Sequence, residues 1–242
     1  MTLLSVNINK IATLRNARGG NNPDVQDFAI KCQQWGADGI TVHPRPDGRH
    51  IRYEDVELLK PLITTSFNIE GYPDKSFVDL VLKIKPEQVT LVPDAPDALT
   101  SNAGWDIRKH HIMLKEIVQE FKRMGIKTSL FVEADESQIV LAPLTETDCI
   151  ELYTEDYAKA YPSNQERAIR DFVHCANIAQ KMQLKINAGH DLNLQNLAYL
   201  NRQIPFLQEV SIGHALICDA LIYGMQNTII MYKRQLNQNQ KS

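Results

Sequence analysis

Apolar residues along this chain fall into two alternating rhythms. Short runs of strand type occupy Leu3–Ile8, Gly39–His43, Ser66–Glu70, Gln88–Val92, Thr128–Glu133, Cys149–Tyr153, Leu184–Ala188 and Glu209–Gly213. Between them, apolar positions recur every three or four residues, as in Val25, Phe28, Ala29 and Cys32, or Phe77, Leu80, Val81 and Ile84. Leu114, Ile117, Val118 and Phe121 repeat the spacing, as do Ile169, Phe172, Val173 and Ala176. That period predicts amphipathic helices. Weaker helical patterns cover Tyr53–Ile63, Glu136–Leu141 and Asn193–Leu200, and a long one runs from Ala215 to Leu236. Asn22-Pro23-Asp24 predicts a helix start capped by Asn22, with proline in the first turn. Gly36 and Gly125 stand where helices should stop.

Eight strand–helix units with no linker between them predict one α/β domain over residues 1–242, a (β/α)8 or TIM barrel, with a polar tail at 237–242. A doubly wound sheet is the alternative. It needs fewer units and a glycine-rich first turn, and Arg18-Gly19-Gly20-Asn21-Asn22 lacks that spacing.

Composition narrows the class without changing the fold. The 242 residues are 43% hydrophobic and 23% charged, with a net charge of −3. No global positive field points to nucleic acid. No apolar run is long enough to cross a membrane, and the N-terminal segment does not read as a signal peptide. Cys32, Cys149, Cys175 and Cys218 are widely spaced, which predicts reduced thiols and a cytoplasmic protein.

A barrel of this kind places its chemistry where strands run into their βα loops. Those edges hold Asn7, Asn9 and Lys10 after the first strand, and His43, Arg45, Arg49 and His50 after the second. Asn68 and Glu70 end the third, Glu133 and Asp135 the fifth, Glu151 and Tyr153 the sixth. The seventh gives Asn187 and His190, and the eighth Gly213 and His214. A ring of buried acids and imidazoles costs too much to be packing alone. Gly189 and Gly213 predict turns into helices after strands seven and eight, a common barrel phosphate site. Arg15 and Arg18, in the loop after the first strand, offer a second anion site. His43, Glu70, Glu151 and His190 also suit a divalent metal, which leaves a metal-dependent sugar-phosphate epimerase or isomerase open. A non-catalytic phosphate-binding barrel is the third reading. His174 reads as a core or boundary histidine, and His110 and His111 face different ways on one helix.

Several blocks together resemble the pyridoxine 5′-phosphate synthases of vitamin B6 biosynthesis. They are VNINKIATLRNARG, GADGITVHPRPDGRHI, FNIEG, TLVPDAPDALTSNAGWD, SLFVEAD, IELYT, INAGHDL and SIGHAL, in order along nearly the whole chain. The resemblance implies a barrel that assembles as a homo-octamer, a tetramer of dimers. It implies condensation of 3-amino-2-oxopropyl phosphate with 1-deoxy-D-xylulose 5-phosphate, with no metal or organic cofactor. It implies proton acceptors at His43 and Glu70, a proton donor at His190, and transition-state stabilisation by Glu151. Asn7 and Arg18 would hold the amino-ketone phosphate, and Arg45, His50 and Thr100 the deoxyxylulose phosphate. Gly213 and His214 would bind phosphate, and 94–104 would form a lid. Asn9 and Lys10 stand where many relatives carry Asp-His, and Asp191 where glycine is common. All three are expected near substrate, with Asp191 turned away from any phosphate.

Overall fold

The computed structural model describes residues 1–94 and 103–237. Eight parallel strands pair in sequence order and close between the last and the first. They are β1 (Leu3–Asn7), β2 (Gly39–Val42), β3 (Ser66–Gly71), β4 (Gln88–Leu91), β5 (Lys127–Val132), β6 (Cys149–Tyr153), β7 (Lys185–Gly189) and β8 (Glu209–Ile212). Each predicted strand lies within one residue of these bounds at either end.

Helices wrap the barrel: α1 (Asn9–Arg18), α2 (Val25–Gln34), α3 (Tyr53–Leu59), α4 (Lys75–Ile84), α5 (Ile107–Arg123) and α6 (Glu136–Ile139). There follow α7 (Glu155–Ala160), α8 (Gln165–Lys181), α9 (Leu197–Gln203), α10 (His214–Tyr223) and α11 (Met225–Asn237). Three expectations need correction. The segment carrying Arg15 and Arg18 is helix α1, not loop; its apolar positions are too few to show a helical stripe. Helix α2 is capped by Asp24, whose carboxylate accepts the N–H groups of Gln26 and Asp27, so Asn22 and Pro23 lie outside it. The long final pattern is two helices, separated at Gly224 with a φ of 74°, a left-handed turn that glycine takes without strain.

The strands bury two different faces. Outward residues such as Leu4, Ile40, Ile69, Val89, Leu130 and Ile150 are fully buried against the helices in one apolar core. Each such side chain contributes roughly 1.5–3 kcal/mol of hydrophobic stabilisation. The other face is polar. Thr90 of β4 donates to Glu151 of β6 (3.3 Å) and Gln88 of β4 to Glu209 of β8 (3.4 Å). Asn187 of β7 donates to Gln88 (3.3 Å), and Ser211 of β8 to Glu70 of β3 (3.4 Å). These strands are not neighbours, so the bonds run through the barrel interior. A barrel interior is ordinarily filled with Val, Ile and Leu.

Candidate active site

A cavity of about 560 Å³ opens where the strands end. It brings together Asn7, Asn9, Lys10, His43, Arg45, His50, Glu70, Glu151, His190, Asp191, Gly213 and His214. These come from the ends of six strands, so the barrel closure assembles what the sequence scatters over more than 200 residues. Arg18 is exposed at the C-terminal end of α1 and is not in this lining. Thr100 and most of the predicted lid at 94–104 lie outside the described residues.

One wall is built by β1, β2 and β3. His43 Nδ1 lies 3.9 Å from Glu70 Oε2. Asn9 holds both in place. Its side-chain oxygen accepts the His43 N–H (2.9 Å), and its own N–H donates to Asn7 Oδ1 (3.0 Å). Asn7 Nδ2 in turn donates to Glu70 Oε2 (3.4 Å). Position 9 therefore orients the wall through hydrogen bonds and also lines the cavity. Burial pushes the His43 imidazole well below its ordinary pKa, and Arg45, His50 and Arg49 lower it further. Burial pushes Glu70 well above the carboxylate range, with the Glu151 charge second. The wall thus sets an imidazole held well below its ordinary pKa beside a carboxyl held well above its own.

Beneath it sits Glu151, raised to about 8 by burial and then by Glu209. Glu209, at the start of β8 two strands round the ring, is itself raised to about 7 by burial. Glu151 also explains Gly189: a Cβ there would overlap Glu151 Oε1. Gly189 is a clearance residue, and α9 starts only at Leu197, so strand seven does not feed a helix N-terminus as predicted. The strand-eight half of that prediction holds. Gly213 immediately precedes α10, whose first N–H groups have no side-chain cap, and Gly213 packs against Asn7.

The four candidate cations after β2 divide in two. His50 is driven down to about 4 by burial, followed by Arg45 and Lys10, so it joins His43 as a neutral imidazole. Its Nδ1 is buried with no hydrogen-bond partner among the described residues. Arg45 is buried and pairs with Asp94 at 2.6 Å, while Arg49 pairs with Asp47. Lys10 is an exposed cation at the cavity edge.

Other expectations change. Arg15 is buried and grips Asp55 with both terminal nitrogens (2.6 and 2.8 Å), which leaves it no role in the cavity. Glu133 and Asp135 point into a separate cleft beside β6, because strand five presents Phe131 to the site. His174 is exposed and pairs with Glu136 (2.7 Å) rather than packing in the core. No three His, Cys, Asp or Glu side chains come together as a metal-holding group among the described residues. Sequence reasoning missed Thr90, Glu209 and Ser211. A signal was present: polar residues at every second strand position, as in Thr41 and His43, Asn68 and Glu70, Gln88 and Thr90, Glu209 and Ser211, mark one inward face.

Known proteins resemble this chain along nearly its whole length. A family model described as "Pyridoxal phosphate biosynthesis protein PdxJ" matches residues 4–238. A protein of Parabacteroides distasonis named pyridoxine 5′-phosphate synthase is 62% identical over 237 residues, covering 98% of this chain and 100% of its own. One of the same name from Cytophaga hutchinsonii is 58% identical over 236 residues, covering 98% and 99%. Among solved structures, phosphoribosyl anthranilate isomerase from Thermococcus kodakaraensis superposes with a TM-score of 0.64 over 98% of this chain and 100% of its own. At 12% identity that likeness speaks for the barrel alone. Matched from its first strand to its last helix, the chain belongs to the pyridoxal phosphate biosynthesis protein PdxJ family.

Proposed function

We propose that the chain is a pyridoxine 5′-phosphate synthase. It joins 3-amino-2-oxopropyl phosphate to 1-deoxy-D-xylulose 5-phosphate and releases pyridoxine 5′-phosphate, inorganic phosphate and water. The observation that carries this reading is the His43–Glu70 wall, an imidazole of lowered pKa 3.9 Å from a carboxyl of raised pKa, facing His190 across the cavity. Strands β3 and β7 are four apart in a ring of eight, hence diametrically opposed. Ring closure with loss of water needs protons removed on one side of the substrate and delivered on the other.

In this scheme His43 and Glu70 are the proton acceptors and His190 the donor. Burial raises the Glu70 pKa and so makes its carboxylate a stronger base than an exposed glutamate. Glu151, neutral below about pH 8, stabilises developing oxyanions by hydrogen bonding. Arg45 and His50 take the deoxyxylulose phosphate together with Thr100. Asn7 takes the amino-ketone phosphate; Arg18 is assigned to it on family resemblance alone. Gly213 and His214 hold phosphate at the start of α10, and Lys10 adds positive charge at the edge. Burial is the first cause of the lowered His43 pKa, and a phosphate dianion would offset the Arg45 and Arg49 charges that add to it, so loading the site strengthens that base. No metal or organic cofactor takes part. Assembly as a homo-octamer and a cytoplasmic location complete the proposal; among the described residues no helix is long and apolar enough to cross a membrane.

The test is direct. The purified protein, mixed with the two phosphates, should release inorganic phosphate in step with the pyridoxine absorbance. A folded protein that yields neither refutes the reading. A chelator-sensitive activity on a sugar phosphate would replace it with the epimerase alternative.

A further inference from the structure

We infer that Asp191 is a positioning residue: its carboxylate holds the Nδ1 proton of His190, so that Nε2 is the nitrogen that hands a proton to substrate. The inference rests on the donor role proposed above for His190.

The first observation is the contact itself. His190 Nδ1 and Asp191 Oδ2 are 3.1 Å apart. Adjacent residues rarely pair side chain to side chain, because successive side chains of extended backbone point opposite ways. Here the backbone has been turned to allow it. His190 and Asp191 have φ of 82° and 60°, two successive non-glycine residues in the left-handed region. Aspartate and histidine tolerate that region better than most, yet each such residue costs on the order of 1–3 kcal/mol unless its surroundings fix it.

The surroundings do fix it. Thr154 Oγ1 donates to the carbonyls of both Gly189 (2.8 Å) and His190 (2.5 Å). Asn196 Nδ2 donates to the Asp191 carbonyl (3.3 Å). The Tyr153 ring meets the imidazole edge-on, with centroids 4.9 Å apart and planes at 84°. The turn, the ring and the carboxylate together leave His190 one orientation.

The charges nearby agree. The hydrogen bond from His190 is the main influence holding the Asp191 carboxyl below its usual range, so the group is an anion at working pH. His214 and Lys159 also face Asp191, and Glu155 faces His190. In the transfer step the Nε2–H bond of the imidazolium breaks and its proton moves to the departing oxygen. The neutral ring that remains carries its one proton on Nδ1, against Asp191. No further reactant is needed.

The experiment is ring-15N NMR of histidine-labelled full-length protein, with the His190 signals identified by their loss in H190Q. It is run at a pH where the ring is neutral. Wild type should show protonated Nδ1 and bare Nε2. D191G, which suits the left-handed backbone and so keeps the fold, should shift His190 toward the Nε2-protonated tautomer. D191N, which retains a neutral acceptor, should fall between. In steady-state assays D191G should lose about tenfold in kcat with KM within about twofold, since the backbone N–H at 191 remains. A wild-type ring protonated on Nε2, or a D191G spectrum like wild type, overturns the inference. So does a shifted tautomer with unchanged kcat. A wild type with no synthase activity would count against the proposed function alone, because the tautomer is read without turnover.

Discussion

The two faces of the same eight strands obey opposite rules. Outward, Leu130, Ile40 and Val89 sit in an apolar core with nothing to hydrogen-bond. Inward, one position along, lie Ser129, Thr41 and Thr90, and above them His43, Glu70 and Glu151. The outward face removes apolar area from water and supplies stability. The inward face buries three carboxyls, Glu70, Glu151 and Glu209, each lifted above its ordinary range by desolvation. Stability and chemistry are thus divided between alternate residues of one strand. The inward face is tolerable because burial raises the pKa of its acids, which favours their neutral form, and because they are bonded across the barrel through Thr90, Gln88 and Ser211.

That division predicts separable damage. The largest effect belongs to the inward face: H43A should lower kcat by about 10²–10⁴-fold while the melting midpoint holds, since general acid–base groups contribute on that scale. Steady-state kinetics beside thermal unfolding checks it, and a variant that loses binding with turnover intact would move His43 out of proton transfer. The converse comes next. L130A should cost about 2–5 kcal/mol in denaturant unfolding, the range for a cavity left by a fully buried leucine. Its kcat below the transition should stay near wild type. A large drop in kcat would mean the two faces are not independent.

A smaller, graded effect concerns pH. Glu209 and Glu151 hold their protons in the folded protein up to about 7 and about 8, against 4.5 for an ordinary glutamate. Between those values the native state binds more protons than the unfolded one. Stability is therefore full below about 4.5 and falls as pH rises through the folded values. The slope is at most about 1.4 kcal/mol per pH unit for each group. E209Q should flatten the part of the decline below pH 7. A stability that rises over this window would contradict the burial of these acids as neutral groups.

Much of this was legible in the sequence, for physical reasons that differ by element. Strand bounds were readable because a strand buried on its outer face must be apolar over a short run and stops at a polar or glycine residue, as at Asn7 and Gly71. Helices α1 and α7 were not, because a short helix over a partly polar surface lacks a wide apolar stripe. The site residues at strand ends were legible from topology alone, since closing the ring brings them together whatever the loops do. Charge state was not. His43 and His50 look like cations in HPRPDGRH, and only their burial beside Arg45 shows them to be neutral. Nor was partner choice: nothing local distinguishes Arg15, held by Asp55 some forty positions on, from a free anion-binding arginine. The deeper interior acids were hidden differently. Glu209 opens a strand at the end away from the loops, where a lone carboxylate reads as solvated.

The central claim is that the inward face does chemistry and the outward face holds the barrel. It is tested most directly by E70Q, assayed for turnover of the two phosphates and for unfolding in one preparation. Glutamine keeps the shape and can still meet Asn7 and Ser211 but moves no proton. The account predicts turnover reduced by at least about a hundredfold, with a melting midpoint equal to or above wild type. Turnover near wild type, or activity and stability lost together, would contradict it.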